Sequence, residues 1–187
     1  MVLTYSKMSA LGMAAPDFAL PATDGKTCTL ASFREAPALL VVFTCNHCPY
    51  AQAVEDRLIA IGRDYAGRGL AVALINSNDA ENYPEDSFPN MKRRAEARRY
   101  PFPYCYDESQ AVARAYGAAC TPDPFLFDAA RRLVYRGRID DNWQEPARVQ
   151  RHELREAIEA VLAGRPAPGE QMASLGCNIK WKGGQTG

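Results

Sequence analysis

Ala38-Leu39-Leu40-Val41-Val42-Phe43-Thr44-Cys45-Asn46-His47-Cys48-Pro49-Tyr50 decides how this chain reads. Its first six residues are apolar without alternation, which suits a strand covered on both faces of a sheet. Beyond the cysteines, Ala51, Val54, Leu58, Ile61 and Tyr65 recur at helical spacing, and Gly67 and Gly69 end the helix. Pro49 is tolerated in a first helical turn, because its missing N–H has no intrahelical partner. Strand, tight turn and helix predict Cys45 at a helix N-terminus, where unpaired N–H groups and the macrodipole favour an anion. A thiolate is such an anion, so Cys45 is expected to be the more acidic and more reactive cysteine. Two intervening residues let Cys48 reach Cys45 and close a small disulfide ring. The expected chemistry has Cys45 attack a substrate disulfide, after which Cys48 attacks Cys45 and releases the reduced product.

Outward from this core, Leu70 to Ile75 gives a second buried strand, parallel to the first in a βαβ unit. Upstream, Ala14 to Phe33 reads as extended chain with a hairpin turn at Asp24-Gly25. Downstream, residues 76–88 form a polar loop, and a helix runs from about Ser87 to Arg99. Phe102 to Tyr106 is a short strand and Ser109 to Tyr116 a short helix. Phe125-Leu126-Phe127 and Leu133 to Arg136 are two antiparallel strands. Leu154, Ala157, Ile158, Val161 and Leu162 form the stripe of a last helix, ended by Gly164 and Pro166. The sum is an α/β fold, βαβ then ββα around a mixed central sheet. A single domain is expected, with an N-terminal extension over 1–36, a core over 37–164 and a tail over 165–187.

The 187 residues carry 22 basic and 22 acidic side chains and are 47% apolar. A neutral chain exerts no global pull on nucleic acid or anionic lipid, so neither is expected as a partner. Lys92, Arg93, Arg94, Arg98 and Arg99 accordingly read as a solvated helix face. No apolar stretch reaches spanning length. Met8 to Ala15 is mildly apolar but holds Ser9 and Gly12 and runs into Pro16-Asp17, a poor secretory signal; a cytoplasmic protein is expected. Six cysteines, at 28, 45, 48, 105, 120 and 177, are too scattered for a disulfide scaffold. Cys28 and Cys105, flanked by strand-like sequence, read as small buried hydrophobes.

A Cys-x-x-Cys pair also suits a metal. Zinc needs further ligands at close spacing; no second such pair exists, and the other histidine, His152, lies among charged residues. Haem attachment requires histidine where Pro49 stands. No metal and no cofactor beyond the redox-active disulfide is expected. His47, protonated between the cysteines, would stabilise a thiolate and shift the pair toward an oxidising potential; the alternative is a histidine filling a loop position.

Several motifs resemble a known group. Ala15-Pro16-Asp17-Phe18-Ala19-Leu20 followed by Asp24-Gly25, the segment Thr44 to Tyr50, and Thr121-Pro122 before Phe125 are similar to the thioredoxin-like superfamily. Within it they resemble the redoxin branch, which includes peroxiredoxins and alkyl-hydroperoxide-reductase-like proteins. Residues 135–141 and 176–182 resemble a bacterial peroxiredoxin-like subgroup. The resemblance implies a thioredoxin fold and a cis Thr121-Pro122 bond that turns the Thr121 backbone outward to pair with an extended substrate. It makes Thr44, Asn46, Thr121 and Pro122 candidate substrate-binding residues beside catalytic Cys45, Cys48 and His47.

The chain also departs from that pattern. The threonine and proline that precede a peroxidatic cysteine are replaced by Val42 and Ala38. The tryptophan before a thioredoxin's first cysteine is Thr44, and its Gly-Pro is Asn46-His47. Ala38 to Thr44 holds no buried acid, so His47 or an acid of the Asp79–Glu81 loop must serve Cys48. Cys-x-His-Cys itself is similar to periplasmic disulfide-forming oxidases. Cys120, next to Thr121-Pro122, and Cys177, in a Gly-rich tail able to fold back, are candidates for a third redox cysteine or for packed thiols. The function expected is a thiol–disulfide oxidoreductase acting on protein or small-molecule disulfides with a thiol reductant. A peroxiredoxin-like thiol peroxidase and a copper- or zinc-binding module through Cys45, Cys48 and His47 are the alternatives.

Overall fold

Every residue of Ala38–Phe43 is at most 1% exposed, as an apolar run without alternation requires. The surrounding architecture comes from a computed structural model that describes residues 3–7 and 11–184. Met8, Ser9 and Ala10 of the run weighed as a signal, and the last three residues of the tail, lie outside the described residues. In chain order the elements are β1 (Leu3–Tyr5), β2 (Ala19–Pro21), β3 (Thr27–Thr29), β4 (Ala38–Phe43), α1 (Pro49–Tyr65), β5 (Leu70–Asn76) and α2 (Phe88–Arg98). They continue with β6 (Tyr104–Tyr106), α3 (Ala111–Tyr116), β7 (Cys120–Thr121), β8 (Asp123–Phe127), β9 (Leu133–Arg136), α4 (Glu153–Leu162) and β10 (Leu175–Asn178).

The central sheet has the order β6-β5-β4-β8-β9. β4 and β5 are parallel in unbroken register from Ala38↔Leu70 to Phe43↔Ile75, joined by α1. β8 runs antiparallel to β4 on its other side, and β9 antiparallel to β8. Alternate β4 side chains go to opposite layers. Leu40 and Val42 meet Val54, Leu58 and Ile61 of α1 and Leu154 and Ile158 of α4. Leu39, Val41 and Phe43 meet Phe18, Tyr116, Phe125 and Phe127. Each such Leu, Val or Phe contributes about 1.5–3 kcal/mol, which makes β4 the axis of the fold. α1 lies close to its neighbours: a Cβ on Gly62 would come 2.5 Å from the Phe102 ring.

The hairpin at Asp24-Gly25 forms between β2 and β3, closed by the Ala22 N–H to the Lys26 carbonyl at 2.8 Å. Two features differ from the sequence reading. Part of the polar loop after β5 is buried: Asn76, Ser77, Asn78, Asp79 and Asp86 are tied down by hydrogen bonds to one another and to the chain around them, while Glu81, Asn82, Pro84 and Glu85 are exposed. The second is a further sheet of order β1-β10-β7, in which the tail lies between the N-terminal strand and the segment before Pro122. These strands have two to four residues each, too few to show a period.

Among the described residues, no helix is long and apolar enough to cross a membrane.

Candidate active site

The end of β4 and the start of α1 bring Cys45 and Cys48 together in one buried cluster. The helix N-terminus expected for Cys45 belongs to Cys48. Cys48 is the N-cap, in extended conformation, and Pro49 is the first helical residue. Cys48 is fully buried and Cys45 only 4% exposed. The Thr121 hydroxyl oxygen Oγ1 lies 3.4 Å from the Cys45 sulfur. The Thr121 carbonyl accepts from the Cys48 thiol at 3.1 Å.

The acidity order is therefore the reverse of the sequence expectation. Donation from the Cys45 thiol, first, and then from the Cys177 thiol, the Thr121 hydroxyl and the Ala51 N–H outweighs burial and holds Cys48 down to about 4. Burial and the shared hydrogen bond with Cys48 push the Cys45 thiol well up. Besides burial, the Thr121 carbonyl favours a proton on Cys48, for which it is the acceptor. The pair thus shares one negative charge, resting at the helix mouth on Cys48.

The acid that holds His47 is Asp86, which the sequence reading did not name. Asp79 is committed to its own turn, accepting from the Glu81 N–H at 3.1 Å and Asn82 at 2.6 Å. Asp86 is fully buried and receives His47 Nδ1 at 2.5 Å, the Asn46 N–H at 2.6 Å and Asn78 Nδ2 at 2.8 Å. Burial raises its pKa, but these donors win and hold it below the ordinary value. The Asp86 hydrogen bond in turn raises His47 against the opposing cost of burial. His47 also stacks on Tyr83 at 5.3 Å, so it does not fill a loop position passively. Nothing in the local sequence marks Asp86, since it lies 39 residues from His47.

Asn46 holds the turn and also lines the recess beside it. Its side chain donates to the Glu85 carbonyl at 2.8 Å and accepts from the Tyr104 hydroxyl at 3.1 Å, and its carbonyl accepts from Gln52 at 2.6 Å. Thr44 is buried, its N–H bonded to the Ile75 carbonyl at 2.9 Å. The Thr121-Pro122 bond is cis. The Thr121 backbone does not turn to solvent as the resemblance implied: it is buried against β10, with Cys177 directly opposite. Two recesses flank the site. One, of about 440 Å³, is lined by Asn46, His47, Gln52, Glu85, Asn90 and Arg94. The other, of about 300 Å³, is walled by Tyr50, Pro122, Ile139, Trp143 and Met172 among others.

The remaining cysteines divide. Cys177 packs with Cys45, Cys48 and Ala51. Cys120 is fully buried, its thiol 3.6 Å from the Pro122 carbonyl, and burial together with Asp123 keeps it protonated. Cys28 and Cys105, read as buried hydrophobes, are both buried and pack in one cluster. For a metal, Cys45, His47 and Asp86 offer one atom each within 4.8 Å of one another. A cation there would compete with the hydrogen bonds that Asp86 accepts from His47, Asn46 and Asn78.

The AhpC/TSA family model matches residues 11–136. Among curated proteins, none matches the chain. Two solved structures cover it almost completely. A hypothetical protein from Sinorhizobium meliloti 1021 is 47% identical, with TM-score 0.91, covering 97% of this chain and 100% of that one. An uncharacterized conserved protein from Geobacillus kaustophilus is 46% identical, with TM-score 0.94, covering 99% of each. A thiol:disulfide interchange protein of the thioredoxin family from Chlorobium tepidum TLS shares the fold at 22% identity, with TM-score 0.56 over 67% of this chain and 85% of that one.

Proposed function

This chain belongs to the AhpC/TSA family and has a thioredoxin fold, and from that premise we propose that it is a thiol–disulfide oxidoreductase. The observation that carries the proposal is the packing of Cys45 and Cys48 together at a strand–helix junction, beside a His47 ring held by Asp86. The proton on Cys45 passes to the Cys48 sulfur, and the Cys45 thiolate attacks a substrate disulfide. One S–S bond forms as another breaks, and the departing thiolate takes a proton from His47. Neutral His47 then removes the proton from Cys48, whose sulfur attacks Cys45. The substrate leaves reduced and the Cys45–Cys48 disulfide remains, to be reopened by a thiol reductant.

Under this reading the substrate is a protein or small-molecule disulfide, and no cofactor is needed beyond the two sulfurs. Nucleic acid and membrane play no part, and the reducing cytoplasm is the compartment in which such a pair stays ready. Because Cys45 is nearly buried, a substrate reaches it through the recess lined by His47 and Asn46, with a local opening of the site. Acceleration of insulin-disulfide reduction by the wild type, and its loss in Cys45→Ser, is the expected result. Full activity in Cys45→Ser would remove the proposal.

Family membership also favours a thiol peroxidase. Against it, Val42 and Ala38 stand where peroxide-activating threonine and proline belong. Stopped-flow consumption of hydrogen peroxide by the reduced protein no faster than by free cysteine is the expected outcome. Metal analysis of protein purified without chelator decides the copper or zinc alternative, with a stoichiometry near zero expected.

A further inference from the structure

Cys177 is fixed in space by three independent sets of contacts. β10 runs antiparallel to β7 with Cys177 opposite Thr121 and Asn178 opposite Cys120. The approach is so close that a Cβ on Gly176 would lie 1.9 Å from the Thr121 carbonyl oxygen, so only glycine fits there. Before this point, the Ser174 hydroxyl donates to the Pro122 carbonyl at 2.6 Å, and the Ser6 N–H to the Ser174 carbonyl at 2.9 Å. After it, the Ile179 N–H donates to the Ala119 carbonyl at 3.2 Å and the Lys180 N–H to Asn78 at 2.8 Å. The tail is therefore pinned on both sides of Cys177. Its thiol meets the Cys48 sulfur, which touches Cys45 as well.

We propose that Cys177 is a third member of the redox relay, exchanging with Cys45 for the bond to Cys48. The inference rests on the oxidoreductase reading of the Cys45–Cys48 pair. Once a substrate disulfide has oxidised that pair, the Cys177 sulfur attacks Cys48. The Cys48–Cys177 bond forms, the Cys45–Cys48 bond breaks, and the proton lost by Cys177 ends on the departing Cys45 sulfur. No external oxidant is consumed, because one disulfide replaces another. The oxidising equivalents then sit in a buried bond to β10, and Cys45 is again a thiol. Ordered placement of the attacking sulfur makes the step effectively unimolecular.

The test oxidises the full chain with one equivalent of diamide, quenches it with N-ethylmaleimide in acidic denaturant, and maps alkylation cysteine by cysteine. Labelling of Cys45 in oxidised wild type is expected to exceed that in oxidised Cys177→Ser by about tenfold or more. In Cys45→Ser the same oxidant is expected to protect Cys48 and Cys177 together. Cys28 and Cys105 are read separately in the same map. Equal protection of Cys45 and Cys48 in wild type and Cys177→Ser, with Cys177 labelled in the wild type, overturns the relay while leaving the pair intact. A labelled Cys48 with Cys45 and Cys177 protected also overturns it. Full labelling of Cys45 and Cys48 in every protein removes the oxidoreductase reading and the relay together.

Discussion

Asp86 and His47 hold each other's charge, and that coupling is visible to pH. The folded-state pKa of His47 is raised above 6.5, so its contribution to stability is fully present below about 6.5 and lost as pH rises through the raised value. Asp86 is lowered from 3.8, so its contribution is present above that value and lost as pH falls through the lowered one. Asp86→Asn removes charge-assisted hydrogen bonds and is expected to cost about 2 kcal/mol near neutrality. It should also flatten the decline in stability above pH 6.5, measured by urea denaturation across pH; an unchanged slope would show that the imidazolium is not held by Asp86. At the sulfurs, an ultraviolet thiolate signal is expected to appear near pH 4 and to vanish in Cys48→Ala. Its persistence in that variant would place the resting charge on another cysteine. That Cys45 and Cys48 meet was legible from two cysteines between a strand and a helix. The order of acidity was not, because it depends on Thr121, Ala51 and Cys177 converging on one sulfur.

At the level of elements, legibility followed length and period. β4 declared itself through six apolar residues, and α1 through Val54, Leu58, Ile61 and Tyr65, all of which are buried. β1, β7 and β10 gave no such signal, since what makes them strands is mutual pairing between segments from opposite parts of the chain. The loop after β5 read as polar, and its polarity alone does not tell that Asn78 is buried and binds both Asp86 and the Lys180 N–H. Gly176 is the position where β10 is most easily tested. Gly176→Ala puts a methyl into the Thr121 backbone, which cannot yield as a side chain end can. It is expected to cost about 1–3 kcal/mol and to speed hydrogen exchange across Leu175–Asn178. Unaltered protection there would mean that β10 does not rest on β7 as described.

Across the whole molecule, one buried ion pair ties the site's underside to the sheet. Arg136 of β9 donates to Asp123 of β8 at 2.9 Å and to the Gly117 carbonyl at 2.8 Å, and its guanidinium covers the Phe125 ring at 4.2 Å. Both side chains are fully buried. Arg136→Met strands the Asp123 carboxylate and is expected to cost about 3–5 kcal/mol in urea denaturation at neutral pH. A loss under about 1 kcal/mol would mean that the carboxylate finds water or a proton without penalty. On the proposed reading, two sulfurs sit where a helix mouth and a His47 held by Asp86 favour the reduced, anionic form. Stabilising the reduced form raises the potential of a dithiol. The most direct test is equilibration of the Cys45–Cys48 couple with glutathione buffers of known poise. The account predicts one two-electron transition at a potential less negative than about −270 mV. A couple below about −300 mV, as for a structural disulfide, or no bridge between these two cysteines at any poise, would contradict it.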